Sequence, residues 1–113
     1  MPNKNKIIGT NFEREVVKAL KEDHNIESKR AWGSNGEALG EDKEVDVLIS
    51  DTGFKIQCKK TKKLPNWLGM SDKVDAVVFK ENRGNKYVLL DFDLFFYYYR
   101  MYLDDIGVSH EKD

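Results

Sequence analysis

Residues 44–60, EVDVLISDTGFKIQCKK, limit what this chain can fold into more than any other stretch. Two runs of alternating apolar and polar residues flank a DTG turn signal, the pattern of a β-hairpin. In the first run Val45, Val47 and Ile49 share a face, opposite Glu44, Asp46 and Leu48. In the second, Phe54, Ile56 and Cys58 lie opposite Lys55, Gln57 and Lys59. A four-residue turn at Ser50–Gly53 pairs Asp46 with Gln57, and a two-residue turn at Thr52 and Gly53 pairs it with Lys59. Both registers set the three polar residues on one face within cross-strand reach, and only a bulged three-residue loop breaks the parity.

The rest of the chain supplies partners for that hairpin. TNFEREVVKALKED reads as a first helix, with Thr10 as N-cap, Glu13 three residues on, and Val16, Val17 and Leu20 at helical spacing. A short strand over residues 28–32 then gives way to a glycine-containing loop. After the hairpin, TKKLPNWLGMSDK is a basic connection with a short helix or turn, and VDAVVFKENRGNKYVLLDF holds two strands about an NRGN turn. DLFFYYYRMYLDDIG is either a helix capped near Asp91 or Asp93 and stopped by Gly107, or a strand that runs into one. The order is helix, three strands, a connection, two strands and a helix, which predicts one α/β domain over residues 1–113 built on a central mixed β-sheet flanked by helices.

With 40% apolar and 35% charged residues the chain has the balance of a soluble globular protein. No apolar run reaches the length of a membrane span, and MPNKNKIIGT lacks the apolar region of a signal peptide. The single cysteine, Cys58, agrees with a reducing compartment, so the expected location is the cytoplasm. A net charge of −1 argues weakly against a polyanionic partner, because the charge is uneven. KIQCKKTKK gathers Lys55, Lys59, Lys60, Lys62 and Lys63, while acids collect in GEALGEDKEVD and at the C-terminus. The lysine run is either a solvated strand end or a surface for phosphates.

Projected at about 100° per residue, the apolar stripe of Phe12, Val16, Val17, Ala19 and Leu20 centres roughly 50° from Glu13. Glu13 is therefore the one charged residue of this helix directed at the body of the protein, although a capping box with Thr10 accounts for a glutamate there equally well. A carboxylate on a hairpin, an oxygen donor across from it, a lysine two residues further and a helix glutamate make a set of hard oxygen ligands suited to Mg²⁺. A lysine on the same face can orient a water and stabilise charge on phosphate.

Taken in order, these residues resemble the PD-(D/E)XK nucleases, and among them the archaeal-type Holliday junction resolvases. The matching positions are Glu13 in NFEREVVKAL, Ser34 in RAWGSNG, Asp46 in EVDVLI, and Gln57 and Lys59 in IQCKK, spread over residues 9–63. Val45 stands where that family usually has a proline without chemical role, and Gln57 where it usually has the second acid. Glutamine keeps an amide oxygen for the metal but removes one negative charge, which leaves a non-catalytic relative in view.

The resemblance implies a restriction-endonuclease-like core of order α-β-β-β-α-β and a metal-dependent, structure-specific endodeoxyribonuclease that resolves Holliday junctions. It implies Mg²⁺, with Mn²⁺ as substitute, held by Asp46, Gln57, the Cys58 carbonyl and Glu13 directly or through water. Lys59 would orient the attacking water, Ser34 would position the scissile phosphate, and Arg30, Lys60, Lys62 and Lys63 would follow the DNA backbone. Trp32 would stack on an exposed base or simply fill the core. A homodimer is implied as well, so that two sites cut two strands, and LFFYYYRMYL is a candidate interface that core packing explains equally well. Another nuclease of the same superfamily, acting on duplex or flaps, and an inactive DNA-binding relative are the alternatives.

Overall fold

The computed structural model describes residues 4–31 and 43–107, with the backbone alone for 4–10. In chain order the elements are α1 (Lys4–His24), β1 (Ser28–Arg30), β2 (Val47–Ile49), β3 (Lys55–Ile56), a 3-10 turn at Asn66–Leu68, β4 (Ala76–Lys80), β5 (Lys86–Leu90) and α2 (Phe92–Asp105). The chain is thus a small α/β protein in the order read from the sequence, closing on two strands and a helix and not on the α-β order of the nuclease core. No helix among the described residues is long and apolar enough to cross a membrane.

α1 begins well before the expected start. Lys4 opens the helix, so Thr10 lies inside it and is not an N-cap, and Thr10 and Glu13 form no capping box. LysAsnLysIleIle is compatible with helix, and Gly9 costs only about 1 kcal/mol relative to alanine in a helix interior, too little to stop it. The far end is set by Asn25, which takes the left-handed conformation at φ 56°. Its N–H bonds the Lys21 carbonyl at 3.1 Å, and the following Ile26 N–H reaches the Leu20 carbonyl at 2.8 Å while its side chain is fully buried. Lys21 and His24 in the last turn complement the helix dipole.

Among the described residues five strands form two antiparallel sheets, β1-β2-β3 and β4-β5, in place of the single mixed sheet expected. Consecutive strands within each sheet run antiparallel, and a parallel pair would need a crossover of a dozen or more residues, usually a helix. The only connection of that kind among the described residues, 57–75, is lysine-rich and forms no more than the 3-10 turn. The β4-β5 ladder runs from Ala76 opposite Leu90 to Lys80 opposite Lys86.

The core lies between α1, the first sheet and α2. Val16 and Leu20 of α1, Ile26, Val47 and Ile49 of β2, and Phe96 and Leu103 of α2 make one buried cluster, with Phe12, Ile56, Cys58, Phe95 and Tyr99 packed around it. α2 starts at Asp91, whose carboxylate accepts from the Asp93 and Leu94 N–H groups at 3.0 and 3.2 Å. It stops at Gly107, in the left-handed region at φ 84°. Arg100 ties α2 to the end of α1 by donating to the Asn25 carbonyl at 3.1 Å and to Asp104 at 2.8 Å. The Thr52 and Tyr99 hydroxyls bond the β2–β3 turn to α2. β4 and β5 contribute no residue to this core, and the radius of gyration, 15.7 Å, exceeds the roughly 13 Å of a compact chain of this length.

Candidate functional site

Two carboxylates are buried among the described residues, Glu13 at 3% and Asp46 at 8% exposure. Leaving either ionised away from water requires polar partners. Glu13 sits in α1 on the margin of the Val16 and Leu20 stripe, which carries it to the first sheet. With the capping box gone, packing alone accounts for its direction. There Arg30 of β1, itself half-buried, approaches it with Nη1 3.4 Å from Oε1. At that length the contact is an ion pair more than a tight charge-assisted hydrogen bond.

Asp46 is placed by the hairpin. Val47 faces Ile56 and Leu48 faces Lys55, the register of the four-residue turn, in which Gly53 adopts φ 74° and donates to the Ile49 carbonyl at 2.9 Å. One position further, the ladder shifts. The Asp46 N–H donates to the Ile56 carbonyl at 2.9 Å, so that Asp46 and Val47 both stand opposite Ile56, the arrangement of a β-bulge. The Asp46 carbonyl meanwhile accepts from the Ala31 N–H at 2.8 Å, fixing its backbone from the other side. The side chain turns inward, and its Oδ2 accepts from the Cys58 N–H at 2.8 Å.

Cys58 lies within the field of both carboxylates. Its thiol is pushed up to about 12, first by burial, then by the negative charges of Asp46 and Glu13. Both carboxylates therefore act on one thiol, although they come from different elements. The thiol stays protonated at neutral pH and is a poor nucleophile and a poor thiolate ligand.

The other expected residues divide plainly. Gln57 and Lys59 lie on either side of Cys58 and are exposed, as are Lys60, Lys62 and Lys63. The bulge removes the simple parity that would have set Asp46, Gln57 and Lys59 side by side. Arg30, expected along the DNA, is engaged with Glu13. Ser34 and Trp32 lie outside the described residues. Two features were not anticipated: the Cys58 N–H as donor to Asp46, and Arg30 as partner of Glu13. The second has no local sequence signal, since it follows from the pairing of β1 with β2, which sets Arg30 opposite Val47 and Ala31 at Asp46.

The donors at the site are oxygens of two carboxylates, with the Gln57 amide and the Cys58 carbonyl on the adjoining segment. Among the described residues no three His, Cys, Asp or Glu side chains form a group able to hold a metal ion. One or two carboxylates completed by neutral oxygens, water and phosphate suit Mg²⁺ and not a softer metal. No family model, curated protein or solved structure matches the chain.

Proposed function

We propose that this chain is a Mg²⁺-dependent, structure-specific endodeoxyribonuclease of the PD-(D/E)XK type, with the four-way DNA junction as its substrate. The observation that carries the reading is a pair of buried carboxylates from different elements, Asp46 accepting from the Cys58 N–H and Glu13 held by Arg30, with the charge of both felt at the Cys58 thiol next to the exposed Lys59. On this reading α1 with β1, β2 and β3 corresponds to the catalytic half of a restriction-endonuclease-like core.

Asp46 and the Cys58 carbonyl would hold the ion, with Glu13 as a direct or water-mediated ligand, and Gln57, out of register with Asp46 and exposed, would have to turn its amide inward to join them. The chemistry such an ion supplies is neutralisation of charge on the phosphate oxygens and a lowered pKa of bound water. Arg30 holds the Glu13 carboxylate in place. Lys59, two residues beyond Gln57, orients the attacking water, and the exposed Lys60, Lys62 and Lys63 contact the DNA backbone without reading its sequence. α2 buries Phe96 and Leu103 but leaves Tyr97, Tyr98, Met101 and Tyr102 exposed, a face on which two copies can pair and bring two sites to one junction.

Gln57 in place of an acid favours a second reading, a DNA-binding protein that does not cut. A gel assay on a labelled four-way junction, a flap and a linear duplex, in Mg²⁺, Mn²⁺ or EDTA, separates the two. Paired symmetric nicks confined to the junction support the resolvase, and cutting of flap or duplex in preference points to another nuclease of the type. Junction binding with no cutting in either metal selects the binding protein.

A further inference from the structure

We propose that the β4-β5 hairpin and the 3-10 turn before it form a stacking cleft for an unpaired nucleobase of single-stranded or branched nucleic acid. Phe79 and Tyr87 are register partners across the hairpin and stack at 5.7 Å between ring centroids with planes 29° apart. Trp67, presented by the 3-10 turn, meets Phe79 edge-on at 5.5 Å and 62°. These rings border a cleft of about 240 Å³ whose remaining walls are Lys80, Glu81, Gly84 and Asn85. That is below the range of drug-sized ligand pockets and suits one planar ring system.

The exposure of the rings is the anomaly to be explained. Trp67 is 64% and Tyr87 56% exposed, on a hairpin that adds nothing to the core. Aromatic rings exposed around a cleft fit a binding site. The charges around it select the occupant. Lys80, Arg83 and Lys86 stand exposed on the hairpin, in no ion pair among the described residues, against the single carboxylate of Glu81 in the cleft wall. The lysine run that leaves the carboxylate site ends at Lys63, four residues before Trp67 and so within about 14 Å of it. A phosphate-bearing strand that follows the lysines is delivered to the rings, and rings interleaved with cations are the platform that single strands use.

Arg83 adds a structural observation. It occupies the third position of the Glu81–Gly84 turn, closed by the Gly84 N–H to the Glu81 carbonyl at 2.9 Å, with φ 61°. Glycine or asparagine fills that position at lower cost. The turn instead keeps an exposed arginine, next in sequence to Gly84 of the cleft wall. The Asn85 amide supplies a donor and an acceptor for a base edge.

The cleft requires neither a metal nor Asp46, so it is tested apart from cleavage. Asp46→Asn protein in EDTA is titrated against a labelled oligothymidylate and against a duplex of equal length, following anisotropy. Trp67→Ala should weaken single-strand binding about tenfold or more and duplex binding less than twofold, and Trp67→Phe should restore most of the affinity. Arg83→Gly, which suits the turn, should weaken single-strand binding and lower its salt slope by about one. An unchanged single-strand affinity, or equal losses on single strand and duplex, overturns the proposal. So does a concentration-dependent dimer that Trp67→Ala dissolves with DNA binding intact, which would make the cleft a contact between copies. A chain that binds the oligonucleotide through Trp67 yet cuts no substrate would retain the cleft and lose the nuclease.

Discussion

Replacing Asp46 with asparagine separates the charge of this side chain from its shape. The carboxylate accepts the Cys58 N–H at 2.8 Å, and an asparagine carbonyl can take the same bond. A hydrogen bond to a charged group contributes about 1.5–3 kcal/mol and a neutral one about 0.5–1.5 kcal/mol, so Asp46→Asn should cost about 1 kcal/mol. For a domain near this size that lowers Tm by about 4–8 °C. The thiol reports the geometry more directly. Burial holds the Cys58 pKa up first, with Asp46 next and Glu13 after it, so Asp46→Asn should lower the pKa without returning it to its ordinary value. The assay is the rate of Cys58 alkylation against pH in the folded protein. With the pKa raised from 9.0 to about 12, the wild-type thiolate is suppressed about a thousandfold near neutral pH. The alkylation midpoint should fall in Asp46→Asn, fall less in Glu13→Gln, and stay in place in Lys63→Ala. If Asp46→Asn and Lys63→Ala give the same profile as the wild type, Asp46 does not face the thiol and the assembled site is wrong.

Other consequences follow from the same contacts. Lys59→Ala should abolish cleavage while leaving junction affinity within a few-fold, measured by gel assay and by titration in EDTA. Gln57→Glu adds an acid one residue from Cys58 and should move the Mg²⁺ midpoint of cleavage to lower concentration, and an unchanged midpoint removes Gln57 from the ion. The Cys58 thiol should also make stability fall in alkali. Its folded pKa exceeds the unfolded one, so its contribution is fully present below about pH 9 and is lost as pH rises toward about 12, where the unfolded chain ionises first; denaturant midpoints across that window should decline less in Cys58→Ala. Asp91→Ala removes the acceptor for two N–H groups at the start of α2 and should cost about 1 kcal/mol by chemical unfolding.

What could be read from the sequence was local. The alternation about DTG placed the β2–β3 hairpin and offered the register of the four-residue turn as one of two, and Asp91 and Gly107 were among the bounds offered for α2, because turn chemistry and capping act within a few residues. Glu13 was directed inward by helical spacing alone. What was misread depended on context. Thr10 and Glu13 match a capping box, but nothing local says whether residues before them continue the helix. The bulge at Asp46 leaves no mark in EVDV, since the shift arises where Asp46 is held between Ala31 on one side and Ile56 and Cys58 on the other. The division into two sheets turned on residues 57–75, whose lysines give no apolar stripe for a crossover helix. Arg30 became the partner of Glu13 through the pairing of β1 with β2 across a long connection, a tertiary choice that strand propensity does not contain.

The central claim is that Asp46 serves chemistry and not merely the fold. Its most direct test is the cleavage rate of a labelled four-way junction in Mg²⁺ by wild type and by Asp46→Asn, with junction Kd taken in EDTA for both. The account predicts paired nicks from the wild type, none from Asp46→Asn, and Kd values within a few-fold of each other. Cleavage by Asp46→Asn at the wild-type rate would contradict it.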